Sequence, residues 1–120
     1  MPDLTPAHPY TVFMLLKATA HWLTLDRTQR DAIYDGALMQ VFNRFPSVRM
    51  RFFDASAFSG RCSDVVVWET TDMPEYREAV DALREHAFFG RPCFEVVDVI
   101  PSVPDGWREF NWETGGAFAL

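Results

Sequence analysis

Four residues of this 120-residue chain could do chemistry: Arg51, Asp64 and Asp98 on otherwise apolar stretches, and His21 in a connection. A charge set in an apolar strand must find a partner or a ligand. Arg51 falls in the run 48–54, Asp64 in 63–69 and Asp98 in 94–100. The first two runs are neighbours joined by a short connection, so Arg51 and Asp64 could pair directly. That pairing reads in two ways. It is a salt bridge that fixes strand register, or it is a site. In a site, Arg51 would anchor a substrate carboxylate or enolate, and Asp64 or Asp98 would act as base or orient one. His21 falls in the connection after the first apolar run. A histidine there is either an acid or base near neutral pH or a plain exposed loop residue. Trp22, Tyr34, Trp68, Phe89 and Phe94 are the candidate walls of an apolar, substrate-binding pocket. Each would serve equally as ordinary core.

Several other chemistries lack their motifs. His8, His21 and His86 are far apart, with no H-x-x-x-H or H-E-x-x-H, so no metal site is expected. Cys62 and Cys93 are too few for a disulfide framework and form no C-x-x-C, so they read as reduced thiols. Ser63 has no G-x-S-x-G around it, and no glycine-rich phosphate loop occurs. No cofactor is expected. Haem is an alternative because it needs only one histidine, and His21 or His86 could supply it. His86, at the end of a helix, also reads as a complement to the helix dipole.

The formal charge of −6 argues against nucleic acid and against anionic membranes as partners. No apolar stretch approaches the ~20 residues of a spanning helix. The start, Met1 to Pro6, has neither a basic cluster nor an apolar signal core, so a cytoplasmic protein is expected. Apolar residues make up 48% of the chain, with eleven Phe and four Trp. That is more aromatic mass than a small core needs, and some of it should line a pocket or an interface.

The elements that must position these residues follow from periodicity. Residues 1–9, with three prolines, read as an extended lead-in. Residues 10–17 are strand 1, with Val12, Met14 and Leu16 on one face and Phe13 and Leu15 on the other. Asp26 and Gln29 form a capping box, and Ile33, Ala37, Leu38, Val41, Phe42 and Phe45 recur at helical spacing up to Pro46. Strand 2 is 48–54 and strand 3 is 63–69. Asp72, Pro74 and Glu75 announce a second helix, carried by Tyr76, Ala79, Val80, Leu83 and Ala87. Strand 4 runs from Phe94 to Ile100 and stops at Pro101, with Phe94, Val96, Asp98 and Ile100 on one face. The tail 102–120 shows no clear period.

Strand, helix, strand, strand, helix, strand is the split β-α-β pattern, an α+β ferredoxin-like sandwich with both helices on one face of the sheet. One domain spans 1–120, with its core at about 10–101. Strands 1, 3 and 4 are apolar on both faces, so the second face wants a partner and a homodimer is expected. Alternatively, the tail, through Trp107, Phe110, Trp112 and Phe118, covers that face.

The segments Arg51-Phe52-Phe53-Asp54, Arg61-Cys62-Ser63-Asp64, Val67-Trp68-Glu69-Thr70 and Phe88-Phe89-Gly90, with Phe94-Glu95-Val96-Val97-Asp98, resemble the darcynin family of small bacterial proteins. The resemblance runs from strand 1 to Pro101. It implies a dimeric α/β barrel fold and carries over no catalytic residue. Broader relatives of that architecture include cofactor-independent monooxygenases, small isomerases and cyclases, and haem proteins; this is an analogy of fold.

Together these readings predict a small-molecule enzyme acting on a hydrophobic, aromatic or polyketide-like substrate. It would work by proton transfer (isomerisation, cyclisation or dehydration) or by cofactor-independent oxygenation. The alternatives are a non-catalytic ligand-binding or accessory protein, and a haem-binding protein.

Overall fold

The computed structural model describes residues 10–86, 88–89, 92–104, 108–111 and 116–119, with side chains up to 104. The element order is β1 (Tyr10–Ala18), α1 (Ala20–Thr24), α2 (Arg27–Arg44), β2 (Val48–Asp54), β3 (Asp64–Thr70), α3 (Met73–Glu85), β4 (Phe94–Ser102), β5 (Arg108–Asn111) and β6 (Gly116–Ala119). The four-stranded sheet has the order β2-β3-β1-β4, and every neighbouring pair is antiparallel. This is the ferredoxin-like α+β sandwich. Val12, Met14, Leu16, Val66 and Trp68 bury one sheet face against Ala37 and Val41 of α2 and Ala79 and Leu83 of α3.

Local chemistry sets the helix boundaries. Asp26 accepts from Gln29 N (2.8 Å) and Gln29 Oε1 accepts from Asp26 N (2.9 Å), so the capping box of α2 is complete. Asp72 accepts from Glu75 N at 3.1 Å and starts α3, with Pro74 in its first turn. The Glu75 carboxylate does not return to its cap. It accepts from the backbone N–H (3.3 Å) and hydroxyl of Ser47, tying α3 to the start of β2. Buried Thr70 completes this clasp: its Oγ1 donates to Asp72 O and accepts from Asp72 N.

Four expectations change. The connection expected to be a loop at His21 contains the short helix α1. Thr19 caps it by accepting from Trp22 N at 3.2 Å, and Thr19 N donates to Cys93 O at 3.0 Å, which pins α1 to the start of β4. β4 runs through Pro101 to Ser102; it is an edge strand, where a missing N–H is tolerated. β4 also carries a bulge. Leu16 faces Val96 but Leu15 faces Asp98, so Val97 is the extra residue. Phe94 and Val96 therefore face the helices, whereas Asp98 and Ile100 share the opposite face with Leu15 and Phe13. Finally, part of the tail forms an antiparallel pair, β5–β6, separate from the four-stranded sheet. Trp107, Trp112, the lead-in with His8, and the side chains of Phe110 and Phe118 lie outside the described residues.

On the face away from the helices, the cross-strand rows read Arg51, Val67, Phe13, Ile100 and then Phe53, Val65, Leu15, Asp98. Phe13, Phe53 and Ile100 are 39%, 48% and 46% exposed, so apolar rings and branches face outward here.

Candidate functional site

The end of β1, α1, the first half of α2 and the β2–β3 connection enclose a cleft of about 530 Å³. That volume lies within the usual range for small-ligand pockets. Its lining includes Trp22, Arg30, Tyr34, Asp54, Ser63 and Asp64, with Arg27 and Asp31 at its edge on α2. Trp22 is nearly buried because α1 turns it onto Phe94 (4.5 Å between ring centres) and Tyr34 (5.1 Å, edge to face). Helical spacing puts Arg30 and Tyr34 one turn apart on α2, on the face toward the cleft.

Tyr34 donates its hydroxyl to Asp64 Oδ2 at 3.3 Å. Burial raises the Asp64 carboxyl above the usual carboxylate range, helped by Asp54, its register partner on β2. Hydrogen bonds from Ser63 and Tyr34, and the charge of Arg30, pull the other way. Burial and the neighbouring Asp64 push the Tyr34 phenol far up, so it stays protonated and acts as a donor. The pair thus combines a fixed O–H donor with a carboxyl whose proton is held more tightly than in water. Ser63 is fixed by its backbone N–H, which donates to Leu16 O at 2.8 Å, and its hydroxyl accepts from Ala18 N at 2.8 Å. Asp54 is occupied by Ser56, through its N–H at 2.9 Å and hydroxyl at 2.6 Å.

The structure brings three of the sequence candidates together here: Trp22, Tyr34 and Asp64. Phe94 lies directly beneath them, fully buried, as a floor rather than a wall. Phe89 and Trp68 are core residues further along the sheet, packed against each other and, for Trp68, against Tyr76. Arg51 does not pair with Asp64. The register sets Arg51 opposite Val67, on the face away from the helices, and it pairs with Glu69 at 2.9 Å. Asp98 is carried to that same face by the bulge and accepts from Val99 N at 2.8 Å. His21 is exposed on α1, on a separate groove with Lys17, Pro92 and Glu95. A helix rotates neighbouring side chains by about 100°, so Trp22 turns inward and His21 does not. Arg30 and Ser63 were not among the sequence candidates. Arg30 had a signal, its i, i+4 spacing to Tyr34 behind a capping box; Ser63 had none before the strands were assembled.

Among the described residues, no group of three or more His, Cys, Asp or Glu is placed to hold a metal ion. No helix among them is long and apolar enough to cross a membrane.

Solved structures share the fold, among them the following two. A haem-binding protein from Thermus thermophilus superposes with a TM-score of 0.67 at 13% identity, covering 82% of this chain and 41% of that one. A mutant chlorite dismutase from Candidatus Nitrospira defluvii gives 0.62 at 17% identity, covering 81% of this chain and 40% of that one. The chain therefore spans about two fifths of the length of these proteins. In sequence, a protein named darcynin from Chromobacterium violaceum is 49% identical over 71 residues, 59% of this chain and 90% of that protein. A darcynin homolog from Streptomyces avermitilis is 41% identical over 108 residues, 89% of this chain and 88% of that protein. The family described as darcynin, a domain of unknown function, matches residues 1–116. With nearly its whole length inside that match, this chain belongs to the darcynin family.

Proposed function

We propose that the cleft binds a small, partly apolar organic molecule and that Asp64 exchanges a proton with it. One observation carries this reading: a half-buried carboxyl, held by a tyrosine hydroxyl, opens on a ligand-sized cleft. In its acid form Asp64 donates its proton to a ligand oxygen. As carboxylate it removes a proton from a C–H or O–H, and Tyr34 steadies the charge through Oδ2. Leu23 and Leu25 supply the apolar wall, with the edge of Trp22 beside them. The test is incorporation of deuterium from D2O into hydroxyaromatic and enolisable ligands selected by binding. Wild type should label the ligand and D64N should not. A ligand that binds in the cleft and never exchanges leaves the non-catalytic binding reading. Failure of every such compound to shift the cleft's resonances refutes the site.

We read the chain as one domain acting as a cytoplasmic homodimer, its outward apolar face covered by a second copy. The support is the exposure of Phe13, Phe53 and Ile100 on that face. Light scattering at micromolar concentration should give twice the chain mass; a monomer refutes it.

A second reading is haem binding, favoured by the likeness to a protein described as haem-binding. The space between sheet and helices is filled by Trp22, Tyr34, Phe88 and Phe94, whose rings lie 4.5–6.3 Å apart. A haem would therefore sit in the outer groove of about 540 Å³, with His21 on the iron and Lys17 available to a propionate. When bound, it would supply redox chemistry at that surface. Haem titration should raise a Soret band that H21A loses; no band in the wild type refutes this reading.

A further inference from the structure

We infer that the ligand of this cleft carries a single carboxylate, held by Arg30, beside an aromatic or apolar body that rests against Leu23, Leu25 and the exposed edge of Trp22. The inference deepens the proposed function and rests on that reading of the cleft. Arg30 is half-buried, and its guanidinium is already oriented. Its Nε donates to the Trp22 carbonyl at 3.2 Å, and its central carbon stands 5.7 Å from the Trp22 ring centre. Both terminal nitrogens are left without a hydrogen-bond partner or an ion pair among the described residues. That is unexpected, because three carboxylates line the same cleft: Asp31, Asp54 and Asp64. Two of them are committed elsewhere, Asp54 to Ser56 and Asp64 to Tyr34. A planar guanidinium anchored through one nitrogen presents the other two as a fork that matches a carboxylate. Little side-chain freedom remains to be lost when the ligand arrives.

The charges facing the cleft limit the ligand further. α2 contributes Arg27, Arg30, Asp31 and Tyr34; β2 contributes Asp54; β3 contributes Asp64. Two cations against three carboxylates balance when Asp64 is protonated and leave one net negative charge when it is ionised. The unfilled fork of Arg30, not the net charge, must therefore hold the ligand's carboxylate, and a second negative charge on the ligand is penalised. The same balance makes binding of a monoanion weaken as Asp64 loses its proton.

The experiment is a 1H–15N NMR titration of the full chain with benzoate, benzamide and benzyl alcohol at millimolar concentrations. Benzoate should shift the amides of Trp22, Arg30, Tyr34 and Asp64 and bind at least about ten-fold tighter than benzamide, a difference of about 1.4 kcal/mol. R30Q should lose that advantage, so that benzoate binds no tighter than benzamide. R30K, which keeps the charge without the fork, should recover only part of it and guards against a folding defect in R30Q. Benzamide binding as tightly as benzoate, or R30Q leaving benzoate unaffected, overturns the carboxylate inference while the cleft remains a binding site. If no probe shifts the cleft residues, the inference and the binding reading fail together.

Discussion

Replacing Tyr34 by phenylalanine removes the hydroxyl that donates to Asp64 and leaves the ring against Trp22 and Phe52. A hydrogen bond to a charged acceptor contributes about 1.5–3 kcal/mol when short and buried. This one is 3.3 Å long, beyond the roughly 2.5–3.0 Å usual for O–H···O. Asp64 is also only half-buried. Both facts favour a smaller value, and a loss of about 1 kcal/mol is expected at neutral pH. The pH dependence follows from Asp64. Its folded pKa lies above the unfolded one because burial disfavours the charge. Between those two values the folded chain holds more protons than the unfolded chain, so stability falls as pH rises through that window and is flat above it. Tyr34 opposes the shift, so Y34F should titrate Asp64 at higher pH and fall further in stability across the same window. The two proteins should converge at acid pH, where the carboxyl is neutral in both. Urea denaturation from acid to neutral pH, with carboxyl 13C titration of Asp64, reads both effects. An unchanged Asp64 titration in Y34F would refute the pairing as the control on this carboxyl.

Phe94→Ala should cost about 3–5 kcal/mol by urea unfolding, because a fully buried ring under Trp22 and Tyr34 leaves a cavity; a loss under about 1 kcal/mol would contradict this packing. In the Phe13→Asp background, where the outward face is left in water, Arg51→Ala should cost no more than about 0.5 kcal/mol, since Arg51 is 61% exposed within one chain. A loss several times larger would mean that Arg51 does more than the ion pair. Deleting Val97 should remove the bulge and leave Asp98 opposite Leu15 on the outward face, at a cost of no more than about 1 kcal/mol by urea unfolding; a loss of several kcal/mol, as expected if the deletion turned Asp98 toward the apolar helix side, would disprove Val97 as the extra residue. Phe13→Asp should halve the light-scattering mass and keep the far-ultraviolet dichroism of the fold; an unchanged mass would place the dimer contact elsewhere.

Much of the architecture is encoded locally. The Asp26–Gln29 box, the Asp72 cap with Pro74, and the strand alternation depend on residues within four positions of one another, so their spacing alone places α2, α3 and the four main strands. The apolar character of both sheet faces is equally a property of composition along the strands. What assembly decided is which polar residues meet. Arg51 and Asp64 lie on adjacent strands, yet one odd step in register puts them on opposite faces. The inserted Val97 moves Asp98 away from Phe94, although strict alternation puts both on one side. A single helical turn at Thr19 separates His21 from Trp22. The cleft exists only because α1, α2, β2 and β3 converge, bringing Arg30, Tyr34 and Asp64 together from positions up to 34 residues apart in the chain. Strand alternation singled out Asp64 as a charge needing a partner. Only the tertiary structure showed that the partner is a tyrosine from α2, and that the arginine beside it is left with a fork to fill.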